Sequence, residues 1–438
     1  MRISINKSYV NRGNLILAGI SLIVIGIIIL YGKKDFFNLV IKAIAIALII
    51  NGTSQITSRF VKKKDTISQN VTVGQSILNL ILGFSILYLK VISLSLLPIV
   101  FSLYLILNGI VKLCSIYIYI KNKINVKIGL IIECVVYFGF GITALFSPLM
   151  HLNTILTIIG VYFLLFGFNF IKDFIKEITP LKRKKRLKRK VRITLPAFFV
   201  ALVPHKVLKK VNQYLEVNSD VINEIDKISE EADLEVFIHV TPDGFGVVGH
   251  IDLYYNGEII SYGNYDESSY KFRGMVGKGV LFSCEKQKYI DFCTSYSNKT
   301  LFSYGLKLNY EQRKNVQKKI DEIKSNLKEW KPPVVLESDE SKFEEHKDYA
   351  SMLYKSTEAQ FFKFKSGKFK TYFGLNTNCV SLADSVIGSS GTDILSIGGI
   401  ITPGTYYEYL KNEFVKRNSI VVSRHIYKNI NKEKLSSK

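Results

Sequence analysis

The chain has 438 residues, 48% of them hydrophobic, with 59 Lys and Arg against 36 Asp and Glu and a formal net charge of +23. That length allows two or three domains, and the five cysteines (Cys114, Cys134, Cys284, Cys293 and Cys379) contain no CxxC pair, which argues against a zinc site and a disulfide framework. In a soluble protein such a charge would point to nucleic acid, but membrane proteins gather Lys and Arg in cytoplasmic loops, and no nucleic-acid partner is expected.

Six apolar runs come first, at about 14–32, 36–53, 74–90, 94–112, 128–147 and 153–171. Most are as long as ~30 Å of hydrocarbon demands at about 1.5 Å per residue. The run that starts at Leu15 is long enough to span and is followed by others, so it is not read as a cleavable signal. The runs form three pairs with a common period. Gly26, Gly83 and Gly141 lie 57 and 58 residues apart, and the same offsets relate Tyr31, Tyr88 and Phe146 and, at the far ends, Gly52, Gly109 and Gly167. Three landmarks sharing one period predict a triplicated helical hairpin, with glycines that let helices approach closely.

On these repeats, residues 14–171 resemble the HdeD-like family of small six-helix membrane proteins, linked by name to acid resistance. The resemblance implies an integral membrane fold and little about chemistry. Charge then sets the orientation. The N-terminus and the second and fourth loops hold Arg2, Lys7, Arg12, Arg59, Lys62, Lys63, Lys64, Lys121, Lys123 and Lys127, while the opposite loops hold Lys33, Lys34 and Lys90. Ten against three places both termini in the cytoplasm and the chain in the cytoplasmic membrane. Glu133 interrupts the fifth run about one turn from its cytoplasmic end, where it could serve a proton or ion or simply reach water and loop lysines.

After the spans comes a collar with nine basic residues among the eleven from Lys182 to Arg192. It is expected to contact anionic headgroups, at roughly 1 kcal/mol per basic side chain. The short apolar stretch Leu195–Pro204, followed by Lys206, Lys209 and Lys210, suits either a helix lying in the interface or one packed on the next domain. The predicted domains are therefore a transmembrane domain at 1–178, a juxtamembrane linker at 179–218, an α+β domain at 219–428 and a loose tail at 429–438.

In the α+β domain, 219–232 reads as helix and 234–240 as a strand with His239 on its polar face, where it is assigned a structural role. Asn256-Gly257 between two β-rich runs predicts a hairpin. A three-residue loop would set His250 across from Tyr262. Further helices are predicted at about 310–328 and from Thr405 to Lys416, with a loose acidic connection from Pro332 to about 347 and a closing strand at 419–423. Asn378 or Thr377 can cap a helix that opens at Cys379 and ends at Gly388. A sulfur there meets unpaired amides and a dipole that favour a thiolate and could hold an oxyanion. A histidine at a strand start could act as its base and acid, given a neighbour that fixes the tautomer.

Gly249-His250, then Tyr262-Gly263-Asn264, then Asn378-Cys379 resembles the circularly permuted papain-like cysteine enzymes, relatives of lecithin retinol acyltransferase and NlpC-type hydrolases. Together with Gly305-Leu306-Lys307-Leu308, the pattern over roughly 236–410 is nearest to a domain of some bacterial lipoprotein N-acyltransferases. The resemblance implies a papain-like fold with Cys379 as nucleophile and His250 as base. Tyr262 falls where relatives of lecithin retinol acyltransferase place a second histidine, which leaves the orienting residue open among Tyr262, Asn264 and Ser261. The expected function is a membrane-anchored cysteine hydrolase or acyltransferase working through a thioester on a lipid or lipid-linked substrate. The alternatives are an outward-facing lipoprotein N-acyltransferase, which conflicts with the charge asymmetry, and a non-enzymatic membrane protein with a partner-binding C-terminal domain. No metal, nucleotide or redox cofactor is expected, since the chain has no Walker lysine motif, dinucleotide fingerprint or His/Cys ligand cluster.

Overall fold

A computed structural model describes residues 2–4, 12–61, 73–178, 231–240, 249–391, 403–416 and 419–428. The basic collar, the apolar stretch at 195–210, the helix expected at 219–232 (all but its last two residues) and the tail lie outside them. The chain divides into two compact units, Leu15–Cys114 with Lys127–Lys172, and Met1–Asn14 with Ser115–Val126 and Asp173–Lys438.

Among the described residues the N-terminal region has five helices: α1 (Arg12–Val61), α2 (Val73–Tyr88), α3 (Lys90–Lys121), α4 (Ile128–Phe146) and α5 (Pro148–Ile178). Among the described residues four helical stretches are long and apolar enough to cross a membrane: Gly13–Thr57, Val91–Lys121, Ile128–Phe146 and Pro148–Ile175. A shorter apolar helix covers Ser76–Tyr88. The first two apolar runs of the sequence fall within α1, which breaks at Lys33, a residue with non-helical backbone angles (φ 38°, ψ −123°).

The repeat is written into the packing of the helical unit. A Cβ at Gly83 would lie 2.9 Å from the carbonyl of Ala45 and 2.6 Å from Ile49. One repeat on, a Cβ at Gly141 would lie 2.9 Å from Ile106, and one repeat back, a Cβ at Gly26 would meet the Gly160 carbonyl and Leu164. The far-end glycines follow suit, with Gly52 against Ser76 and Leu80, Gly109 against Phe138, and Gly167 against Gly19 and Ile23. The contacted residues share the 57–58 period (Ile49, Ile106 and Leu164; Ile23, Leu80 and Phe138). Each repeat's second segment therefore packs on the next repeat's first, and the third packs back on the first, closing a ring of three like interfaces. Tyr31, Tyr88 and Phe146 are all more than 80% exposed, as suits aromatic rings at a lipid–water boundary. Glu133 forms an ion pair with Lys112 at 2.5 Å.

The other unit is built on a nine-stranded, wholly antiparallel sheet. Its strands are β1 (Arg2–Ser4), β2 (Leu234–Val240), β3 (His250–Tyr255), β4 (Glu258–Gly263), β6 (Val280–Glu285), β7 (Thr300–Leu306), β8 (Leu327–Glu329), β9 (Gln360–Phe364) and β11 (Val421–Tyr427). They lie in the order β1-β11-β7-β2-β3-β4-β6-β9-β8. A two-stranded ribbon pairs β5 (Val276–Lys278) with β10 (Thr371–Phe373). One core contains residues of α7 (Tyr310–Ser325), α10 (Cys379–Ile387) and α11 (Pro403–Phe414). A second contains residues of α6 (Lys286–Asp291) and α9 (Tyr349–Thr357).

Three expectations need correction. Asn256 and Gly257, at φ 48° and 88°, make a two-residue turn rather than a three-residue loop. Asp252 then pairs with Ser261, so the register moves by one and His250 is not opposite Tyr262. The face of β2 that carries His239 is not a polar one, because β2 is covered on both sides and the residue is 2% exposed. The stretch after Pro332 is not loose; it forms the short helix α8 (Pro333–Leu336) and a 3₁₀ turn capped by Asp339.

Candidate active site

α10 opens as its sequence demands. Asn378 is extended (φ −112°, ψ −176°) and its side chain accepts a hydrogen bond from Ser381 N at 3.0 Å, while its Nδ2 donates to Gly374 O at 2.7 Å. The Leu382 amide donates to Asn378 O. Among the described residues the Cys379 and Val380 amides have no acceptor, and they stand where the helix dipole is positive. Cys379 thus occupies the first helical position. The residue is 4% exposed and belongs to the same core as Tyr262, Val380 and Ala383.

α10 packs on β3, and His250 at the first position of that strand interacts with Cys379. Gly249, at φ 78° with the His239 carbonyl oxygen 2.9 Å from where a Cβ would stand, lets the chain enter the strand at this point. The His250 side chain keeps 22% exposure. Its Nε2 faces three oxygens: Asp252 Oδ1 at 2.8 Å, Ser261 Oγ at 3.0 Å and Tyr265 Oη at 3.0 Å.

Asp252 is the centre of this group. Alternation along β3 sends Ile251 and Leu253 into the core shared with α10 and puts Asp252 on His250's face. Its Oδ2 lies 2.5 Å from His239 Nε2 and accepts from Tyr289 Oη at 2.7 Å. Burial opposes a carboxylate here, but the two histidines outweigh it and hold the Asp252 carboxyl well below its ordinary range. For His250, burial opposes the charged form, yet Asp252 and Cys379 together favour it and push the pKa up to about 10. His239 has the opposite balance: burial prevails over the pull of Asp252 and lowers it to about 4. The result is a charged imidazole at His250 and a neutral one at His239, on either side of one carboxylate. Burial keeps Tyr265 and Tyr289 protonated and able to donate.

The sequence-predicted residues divide accordingly. Cys379, His250 and the capping Asn378 come together. Of the three proposed orienting residues only Ser261 touches the imidazole. Tyr262 points to the other side of β4, where its hydroxyl donates to Phe369 O at 3.0 Å among Phe364, Phe369 and Tyr372. Asn264 donates to Gly274 O at 2.9 Å and ties down a loop. Asp252, His239, Tyr265 and Tyr289 were not anticipated. The signal for Asp252 was present as His250-x-Asp252, two residues that share one face of any strand, and His239 pairs directly with His250 across β2 and β3. Among the described residues no group of three or more His, Cys, Asp or Glu could hold a metal ion.

Residues 17–88, 74–131 and 132–185 each match DUF308, a short repeat of unknown function. Repeats of this HdeD-like family thus cover residues 17–185, a region with helices apolar enough to span a membrane. No curated protein and no solved structure matches the chain.

Proposed function

We propose that the C-terminal region is a membrane-anchored cysteine hydrolase or acyltransferase of permuted papain-like type. Cys379 is the nucleophile, His250 its base and acid, and Asp252 the residue that fixes the imidazole. The observation that carries this reading is a helix-opening sulfur that interacts with a histidine whose Nε2 lies 2.8 Å from a buried carboxylate. Each member also has a structural use in other proteins; their convergence is what distinguishes nucleophilic catalysis.

In the proposed cycle His250 holds the proton of Cys379, leaving a thiolate. The sulfur adds to an acyl carbonyl, and the oxyanion meets the free amides of Cys379 and Val380. The C–X bond then breaks, and His250 gives its proton to the leaving group. This leaves a thioester on Cys379 and a neutral imidazole. Water or an amine attacks the thioester, His250 takes the proton of that nucleophile, and the acyl product departs as the thiolate returns. Asp252 steadies the imidazolium whenever it forms, without itself taking the proton.

An acyl group carried by a lipid is the favoured substrate, because a domain tethered to a bilayer meets membrane substrates at high effective concentration. We further propose six spans. α1, with 50 residues, is about 75 Å long at the helical rise, more than twice the hydrocarbon thickness, and its break at Lys33 makes it two spans, with α2 as the third. An even number returns the chain to its starting side, which the Lys and Arg asymmetry assigns to the cytoplasm. A reporter fused at residue 438 checks this, and activity of an exported reporter there would overturn it.

The chemistry is tested on the full chain in lipid nanodiscs with a p-nitrophenyl acyl ester. The expected result is nitrophenol release and an acyl mass added at Cys379, both absent in Cys379→Ala and His250→Ala variants that insert normally. Release unchanged in Cys379→Ala would sink the proposal.

A further inference from the structure

We infer that the loop Tyr270–Met275 is a second membrane contact, one that docks on an anionic bilayer surface. It presents three large apolar side chains to solvent within six residues: Tyr270 (42% exposed), Phe272 (79%) and Met275 (41%). Between them stand the exposed Lys271 and Arg273, and Lys278 follows on β5 with 65% of its side chain exposed. An isolated apolar residue on a surface needs no explanation, but an apolar tip alternating with cations has the composition of an interfacial anchor.

The backbone shows that this tip is built. Phe272, Arg273 and Gly274 take φ values of 50°, 55° and 84° in succession. A bulky aromatic is seldom found in the left-handed region, and it persists there only when the surroundings hold it. The conformation is fixed from several directions. Lys271 and Val276 exchange both backbone hydrogen bonds, Met275 N donates to Phe272 O, Asn264 Nδ2 donates to Gly274 O, and Tyr270 Oη donates to Asn264 O. So many bonds keep Phe272 pointed away from either core. Among the described residues neither Lys271 nor Arg273 has a carboxylate partner, which leaves both for phosphate-bearing headgroups.

The loop is also continuous with the candidate site. Gly374 N donates to Met275 O at 2.9 Å, β5 pairs with β10, and the chain runs from β10 into Asn378 and Cys379. Docking at Phe272 would bring the mouth of α10 to the headgroup layer. A bilayer is favoured over a protein partner because the same chain carries apolar membrane-length helices and the patch is small and basic-rimmed. The inference concerns the surface alone and stands or falls apart from the chemistry at Cys379.

The test uses the full chain in nanodiscs, whose single native tryptophan, Trp330, serves as the blank. A Phe272→Trp variant is read as the fluorescence it adds, and Tyr310→Trp, at an equally open site on α7 (70% exposed), is the control. In discs containing anionic lipid brominated near the headgroup end of its chains, the Phe272→Trp increment is expected to shift to the blue and lose about half its intensity, while Tyr310→Trp stays water-like. Adding Lys271→Glu and Arg273→Glu should restore the lost intensity. Emission from Phe272→Trp that stays water-like and unquenched would overturn the inference. So would a blue shift without lipid quenching, which marks a protein contact, or quenching indifferent to lipid charge and to the reversals.

Discussion

The two units close their interiors by opposite means. In the helical unit backbones meet at glycines, and large side chains such as Leu17, Ile132 and Val135 point outward. Lipid tails are as apolar as leucine, so hiding a leucine gains little there, and close approach with van der Waals contact does the work instead. The sheet unit hides its rings from water, with Tyr262, Tyr289, Tyr304, Phe237 and Phe282 all below 2% exposed. The treatment of polar groups differs in the same way. Ser95, Ser102 and Asn108 each satisfy themselves on a carbonyl of their own helix, whereas His239, His250 and Tyr289 meet at Asp252, and Ser261 meets His250, from three strands and a helix. Self-satisfied groups stabilise a scaffold; groups that depend on each other across elements can respond to a ligand. This is why the chemistry is sought in the sheet unit.

The comparison breaks most visibly if substitutions at the converging groups leave turnover intact. Cys379→Ala and His250→Ala are expected to abolish acyl transfer without loss of insertion, measured as nitrophenol release and membrane yield. Asp252→Ala should act on both function and fold. Turnover should fall by about 10⁴-fold, and the sheet unit should lose about 3–5 kcal/mol, because one partner of a buried charge cluster is gone. Trp330 fluorescence in a denaturant series reads that loss from the sheet unit alone.

Acid should also weaken the sheet unit selectively. His239 is neutral in the fold, with its pKa lowered from 6.5 to about 4. Between those values the unfolded chain binds the extra proton, so stability falls as pH falls, by about 3 kcal/mol in all at about 1.4 kcal/mol per unit. Asp252 extends the loss below pH 3.8. His250 works in the other direction. Its raised pKa stabilises the fold below 6.5, and that contribution disappears as pH climbs toward about 10. Trp330-detected melting against pH should therefore slope down on both sides, with the limb between pH 6.5 and 4 flattened in His239→Gln.

The helical unit offers the converse test. Gly83→Leu must force apart the contacts with Ala45 and Ile49, at a cost of about 1–3 kcal/mol, and Gly26→Leu and Gly141→Leu should cost about as much if the three interfaces are alike. Gly129→Leu and Gly139→Leu, where an added Cβ meets nothing within 4 Å, are the tolerant controls. Circular dichroism should register the first three while Trp330 fluorescence stays unchanged.

Legibility followed the same divide. The repeat was readable because each interface leaves a glycine in register with its copies, and the hairpin at Asn256-Gly257 and the cap at Asn378 were readable because their causes are local. What escaped depends on partners distant in the chain. Arg2–Ser4 joins the sheet by pairing with Tyr427, Ile426 and His425, and nothing in three residues announces that. His239 was assigned to a polar face because apolar residues alternate along β2, yet the sheet carries a core on each face. Tyr262 was set across from His250 by a turn read as one residue too long, and in a strand one residue is the difference between the two faces.

The smallest predicted effect falls on the boundary between scaffold and chemistry. Asn378 caps α10 and anchors Gly374, so Asn378→Ala should cost about 1 kcal/mol by Trp330-detected unfolding. Asn378→Asp retains an acceptor for Ser381 N and should recover most of that stability. It also sets a negative charge one residue from Cys379, which opposes formation of the thiolate. Alkylation of Cys379 by iodoacetamide should therefore be slower in Asn378→Asp than in Asn378→Ala, although the former is the more stable protein. Equal alkylation rates would mean that the helix start holds the sulfur in place without activating it, and would return α10 to the scaffold.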